Sequence, residues 1–181
     1  MVDFDRIIEK YYTKGSNAYN LLTTHSRQVA ELAMQLADES AVAVDRDFVW
    51  EAAMLHDVGI YRTNAPGIYC FGTEPYLMHG LIGKELLTNE GLPRHALVCE
   101  RHIGAGLTAD EIIEQKLPLP AVDMVPITVE EKLVCYADNF FSKSHIAPAR
   151  TYEQVHTQMA RYGEGTLRRL EAMHEMFGAK P

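Results

Sequence analysis

The chain has 181 residues, 47% of them apolar and 23% charged, with a formal charge of −8, the values of an ordinary globular protein long enough to bury one core. The acidic balance disfavours a broad nucleic-acid surface, which needs clustered Lys and Arg against phosphate. No run approaches the roughly 18 consecutive apolar residues of a membrane span.

The opening MVDFDRIIEKYY lacks the basic-then-apolar layout of a secretory signal. Cys70, Cys99 and Cys135 are odd in number and widely spaced, so buried free thiols in a reducing cytoplasm are expected. Asp3 to about Thr13 reads as a short helix. Ala18 to about Glu39 reads as a longer one with the stripe Val29, Leu32, Ala33 and Leu36, and His25 stands four residues before Val29 on that stripe. Asp45 or Asp47 caps a third helix carrying Phe48, Val49, Ala52, Ala53 and Leu55, with His56 one turn beyond Ala52 and Ala53. Arg62 to Tyr76, with two glycines and two prolines, reads as a long irregular loop. Helices follow over Leu77 to about Asn89 and Arg94 to about Ile103, separated by Gly91 and Pro93. Thr108 with Glu111, Thr128 with Glu131 and Thr151 with Gln154 have capping-box spacing, and each opens an apolar-periodic segment. The Pro-rich LPLPAVDMVP interrupts the first two. No alternating strand is visible, so the expectation is an all-α bundle of about six to eight helices in one domain over 1–181. Its core spans about 18–143, and the terminal segment 151–178 either packs on that core or mediates self-association into a homodimer.

Four of the eight histidines, His25, His56, His79 and His102, fall at inward positions of separate predicted helices. A lone buried His is usually a hydrogen-bonded core residue. That reading weakens here because Asp57 adjoins His56, and Asp138 lies one turn after Val134 on the apolar face of a helix from Glu130 to about Lys143. Buried carboxylates are costly unless paired, hydrogen-bonded or bound to metal. Consecutive residues diverge by roughly 100° on a helix, so His56 and Asp57 fit best at a helix end, with Gly59 permitting close backbone approach.

An isolated His, an HD pair and a distant Asp, here His25, His56-Asp57 and Asp138, set in HSRQVAELAMQLA, AAMLHDVGI and EEKLVCYADNFFSK, resemble the HD-domain metal-dependent phosphohydrolases over about Thr24 to Lys143. The resemblance implies an all-α enzyme in which His25, His56, Asp57 and Asp138 ligate a divalent metal. A subset of that family adds two histidines and a second ion. His79, in MHGLIGKELL, and His102, in ERHIGAGLT, match that subset, which implies a second ion on His79, His102 and a bridging Asp57. Asp57, His79 and His102 are thus the catalytic candidates. Imidazole and carboxylate ligands suit Fe, Mn, Zn, Co or Ni. The family's HDxGK lysine is replaced by Ile60 and no GYP element is present, which argues against both the cyclic-dinucleotide phosphodiesterase branch and a lysine-assisted mechanism. Arg62, Arg101 and Lys143 are the candidate substrate cations. The expected function is hydrolysis of a phosphoester or phosphoanhydride of a small anionic metabolite or nucleotide by metal-activated water. A di-iron oxygenase and a non-catalytic metal or nucleotide module are the alternatives, and no nucleic acid or membrane partner is expected.

Overall fold

The 24-residue helix α2 (Asn17–Ser40) is the axis on which the rest of the chain packs. The structure, a computed structural model, describes residues 2–40, 42–143 and 148–178. In chain order the other helices are α1 (Phe4–Tyr11), α3 (Arg46–Leu55), α4 (His79–Asn89), α5 (Pro93–Arg101), α6 (Ala109–Glu114), α7 (Val129–Asp138), α8 (Tyr152–Met159) and α9 (Glu164–Phe177). The fold is all-α. Among the described residues there are nine α-helices, one more than the expected range, because the terminal segment breaks at Gly163, whose φ of 110° no helix tolerates. None is long and apolar enough to cross a membrane.

Local chemistry sets most boundaries. Asp45, not Asp47, caps α3 by accepting from the Phe48 amide. The capping boxes at Thr108–Glu111 and Thr151–Gln154 are complete. The third expected box is only half formed: Thr128 accepts from the Glu131 amide, but the Glu131 carboxylate is taken by Arg101 and by the Ile127 amide. Helix α7 stops at Asp138 rather than near Lys143, since Asn139 turns its side-chain amide onto the carbonyls of Cys135 and Gly104.

The 62–76 region departs from the irregular loop expected there. Asn64–Ala65 pairs antiparallel with Cys70–Phe71, Asn64 opposite Phe71 and Ala65 opposite Cys70, through a turn that places Tyr69 in the left-handed region. Two-residue strands are too short to show an alternating pattern. The ladder depends on Gly72, where a Cβ would collide with the Arg62 backbone.

Two apolar clusters fill the interior. One joins α2, α3 and α7 to the inner faces of α8 and α9 through Val29, Ala33, Val49, Leu133, Val155, Leu170 and Phe177. The other joins α1, α4 and α5 to the turn after α3 through Ile8, Leu22, Leu55, Val58, Leu87 and Cys99. Full burial of each large side chain contributes about 1.5–3 kcal/mol. The terminal helices therefore pack on the core. Cys70, Cys99 and Cys135 are buried and free. On α2, Leu22 belongs to one cluster and Val29 to the other, and His25 lies between them on the same stripe, where the two cores meet.

Candidate metal centre

Five helices deliver six side chains to that junction. His25 comes from the middle of α2, His56 caps the C-terminus of α3, His79 opens α4, His102 caps the C-terminus of α5, and Asp138 ends α7. Asp57 follows His56 with φ −106° and ψ 9°, outside helical geometry. This break lets two adjacent residues face one point. Gly59 makes the approach of α4 possible, since a Cβ there would overlap the His79 carbonyl oxygen and lie 2.5 Å from the Gly83 amide nitrogen. Gly83 in turn admits α5, with Cys99 Cβ and Sγ both 3.0 Å from where its own Cβ would be.

Three of the rings are oriented in the same way. Nδ1 of His56, His79 and His102 lies 2.6, 2.6 and 2.8 Å from the carbonyl oxygens of Ala53, Tyr76 and Cys99, each three residues earlier. A carbonyl only accepts, so Nδ1 carries the proton and Nε2 presents its lone pair inward. Burial, reinforced at His25 by the Lys143 ammonium, holds His25 down to about 4, His79 to about 3 and His102 to about 4. These rings are neutral donors at neutral pH.

Asp57 is fully buried and its two oxygens face opposite ways. Oδ2 is 3.4 Å from both His25 Nε2 and His56 Nε2, whereas Oδ1 is 3.4 Å from His79 Nε2 and 3.3 Å from His102 Nε2. Asp138 Oδ1 is 2.9 Å from His25 Nε2 and 3.4 Å from His56 Nε2. Burial alone would raise the Asp138 carboxyl, but the His25 and His56 rings hold it well below the ordinary range. Among the described residues, neither Asp57 oxygen, nor Asp138 Oδ1, nor Nε2 of His25 and His56 makes a hydrogen bond. Buried carboxylates are costly unless paired or bound to metal, and these atoms all point into one small space, where Lys143 Nζ lies 2.9 Å from Asp57 Oδ2. The donor set fits a divalent cation. Two overlapping groups, His25 with His56 and Asp138, and His56 with Asp57 and His102, each offer ligand atoms within 4.8 Å of one another.

The substrate candidates separate. Lys143 Nζ enters the centre, 2.9 Å from Asp57 Oδ2 and 3.8 Å from Asp138 Oδ1, and burial lowers it to about 7. Arg62 and Arg101 are corrected: Arg62 runs along the surface to Glu85 at 3.4 Å, and Arg101 is held by Glu131 at 2.9 Å, so neither guanidinium faces the centre. Ile60, where the HDxGK lysine would stand, is fully buried in the second apolar cluster. The histidines outside the centre have other partners: His95, His156 and His174 pair with Glu51, Glu171 and Tyr136. His145 lies outside the described residues.

A cavity of about 280 Å³ opens from the centre, with His79, His102 and Asp138 at its inner end. Sequence reasoning missed its other cation, Arg150, whose guanidinium donates to the Asn139 carbonyl at 3.2 Å. No periodicity marks a residue in so irregular a stretch.

The HD domain family profile matches residues 22–142. The chain is 38% identical over 134 residues to a tRNA (cytidine(56)-2'-O)-methyltransferase of Picrophilus torridus and 35% identical over 136 residues to one of Thermoplasma volcanium. These matches cover 74% and 75% of this chain but 35% of each methyltransferase. An uncharacterized protein of Methanocaldococcus jannaschii is 40% identical over 119 residues, 64% of this chain and 63% of that one. The chain thus matches about a third of each methyltransferase and less than two thirds of the third relative, and the methyl transfer named for the first two is a property of those longer proteins. No solved structure matches.

Proposed function

Because this chain belongs to the HD-domain family, we propose that it is a metal-dependent phosphohydrolase holding two divalent cations on either side of Asp57. The observation that carries this reading is the division of the Asp57 carboxylate. Oδ2 faces His25 and His56, and Oδ1 faces His79 and His102. His25, His56, Asp138 and Asp57 Oδ2 would hold one ion, and His79, His102 and Asp57 Oδ1 the other. Mixed nitrogen and carboxylate donors suit first-row transition metals from Mn to Zn.

Ions held by these residues would supply Lewis-acid polarisation of phosphoryl oxygens and a lowered pKa for water. The protein contributes rigidity: the three Nδ1–carbonyl hydrogen bonds fix the ring planes before any ligand arrives. Lys143 and Arg150 place positive charge on the cavity wall in an otherwise acidic chain, where a phosphoryl group would be drawn and oriented. The cavity excludes bulk water from the substrate body and leaves the phosphoester bond at the cluster.

The experiment is a phosphate-release screen on protein reconstituted separately with Mn, Fe, Co, Ni and Zn, across phosphomonoesters, phosphodiesters and nucleotides. Metal-dependent release abolished by chelation is the expected result. Oxygen uptake with an iron-loaded sample and no phosphate release would replace this reading with the oxygenase one.

A further inference from the structure

The family match ends at residue 142, yet one wall of the cavity is built from Gln158, Met159, Tyr162 and Thr166, beyond it. Those residues are tied to the cavity rather than merely near it. Gln115 Nε2 donates to the Tyr162 carbonyl at 3.2 Å. Arg169 on α9 holds the opposite wall from behind, donating to the carbonyls of Ala105 and Gly106 at 3.0 and 2.9 Å while pairing with Glu111. Gly104 and Gly106, with φ of 63° and 83°, give that wall its shape.

Among the described residues the charged lining of the cavity is Asp138, Lys143 and Arg150, and the rest is apolar or carries neutral hydrogen-bonding groups; Arg150 also borders the outer groove beside Gln158 and Tyr162. Gln158 offers a carboxamide with both donors and an acceptor, and its side chain has no hydrogen-bond partner among the described residues. Tyr162 stands half exposed at the mouth and Met159 is buried beneath. An aromatic face and a polarisable thioether favour a flat apolar body.

We infer that Gln158, Met159 and Tyr162 determine specificity, and that they receive an uncharged, ring-bearing body attached to the phosphoryl group that Lys143 and Arg150 face. This rests on the phosphohydrolase reading for the phosphoryl end only. The volume suits roughly one or two rings and not an extended polymer.

The test uses the full metal-loaded chain and two readouts. Nucleosides serve as uncharged ring-bearing probes without phosphate, titrated calorimetrically into wild type, Gln158→Ala and Tyr162→Ala. Saturable binding is expected in wild type, weakened about tenfold in each variant, the size of one lost hydrogen bond or aromatic contact. With phosphomonoesters of such bodies, KM should rise about tenfold in both variants while kcat stays within about twofold. Absence of nucleoside binding to wild type, or equal binding to all three proteins, would overturn the inference. So would a preference for bodies bearing a further phosphate, for which Arg161 in the adjoining groove would be the partner. Nucleoside binding that weakens in the variants while no ester releases phosphate would retain the pocket assignment and reject the hydrolase reading.

Discussion

Nε2 of His79 and Nε2 of His102 face one another at 3.1 Å, each on a ring whose Nδ1 is already committed to a backbone carbonyl. Two neutral imidazoles in this state direct lone pair at lone pair, an unfavourable contact unless a cation lies where the pairs converge. Asp57 Oδ1 closes the same point from 3.4 and 3.3 Å.

Removing one partner from each side should therefore have unequal effects. Asp57→Ala takes an oxygen from both groups, and metal content measured by elemental analysis should fall from about two ions per chain to near zero. His79→Ala should retain about one. Full occupancy in Asp57→Ala would contradict the bridging role.

Gly59→Ala tests the packing that brings α4 to the centre. The added methyl meets backbone atoms of His79 and Gly83, which cannot swing aside like a side chain. A loss of about 1–3 kcal/mol in urea denaturation is expected, with His79-side metal lost first. An unchanged unfolding midpoint would mean that the approach of these backbones does not hold the site.

Lys143→Gln replaces the ammonium beside Asp57 and Asp138 with a shorter, neutral amide. Inorganic phosphate, followed as a competitive ligand of the metal-loaded protein, should bind about tenfold to a hundredfold more weakly. Metal content should be retained. Equal phosphate affinity would remove Lys143 from the substrate site.

His95 and Glu51, outside the centre, carry a pH dependence of their own. Burial holds His95 below its ordinary value, more than offsetting the Glu51 carboxylate 3.2 Å away. As pH falls below the unfolded value of about 6.5 the unfolded chain binds the proton first, so stability is lost until the folded pKa is passed. His95→Gln should flatten part of the fall in denaturation midpoint between about pH 7.5 and pH 5, relative to wild type. An identical slope in the variant would show that His95 does not report the burial seen here.

How much of this was legible in the sequence depended on whether the signal was local. The stripe through His25 and Val29 and the need for a helix end at His56-Asp57 follow from helical periodicity, and Gly59 was readable as a point of close approach. The hairpin at 64–71 was not, because strands of two residues carry no period and its closure relies on the contact of Gly72 with Arg62. Glu131 shows a local rule overridden by a tertiary one: the spacing from Thr128 is that of a capping box, but Arg101 captures the carboxylate. The bracing of three rings by carbonyls three residues earlier depends on where each helix stops, which patterns locate only to within a few residues. Arg150 and the wall from Gln158 to Tyr162 are placed by the docking of α8 and α9, and nothing in their own neighbourhood announces it.

The most direct measurement is anomalous scattering from crystals grown with manganese, recorded above and below the metal's absorption edge. The account predicts two peaks in the buried junction, one between Asp57 Oδ2 and the His25, His56 and Asp138 donors, the other between Asp57 Oδ1 and the His79 and His102 rings. A single peak that does not touch Asp57, or no peak at the junction in protein that binds manganese elsewhere, would contradict it.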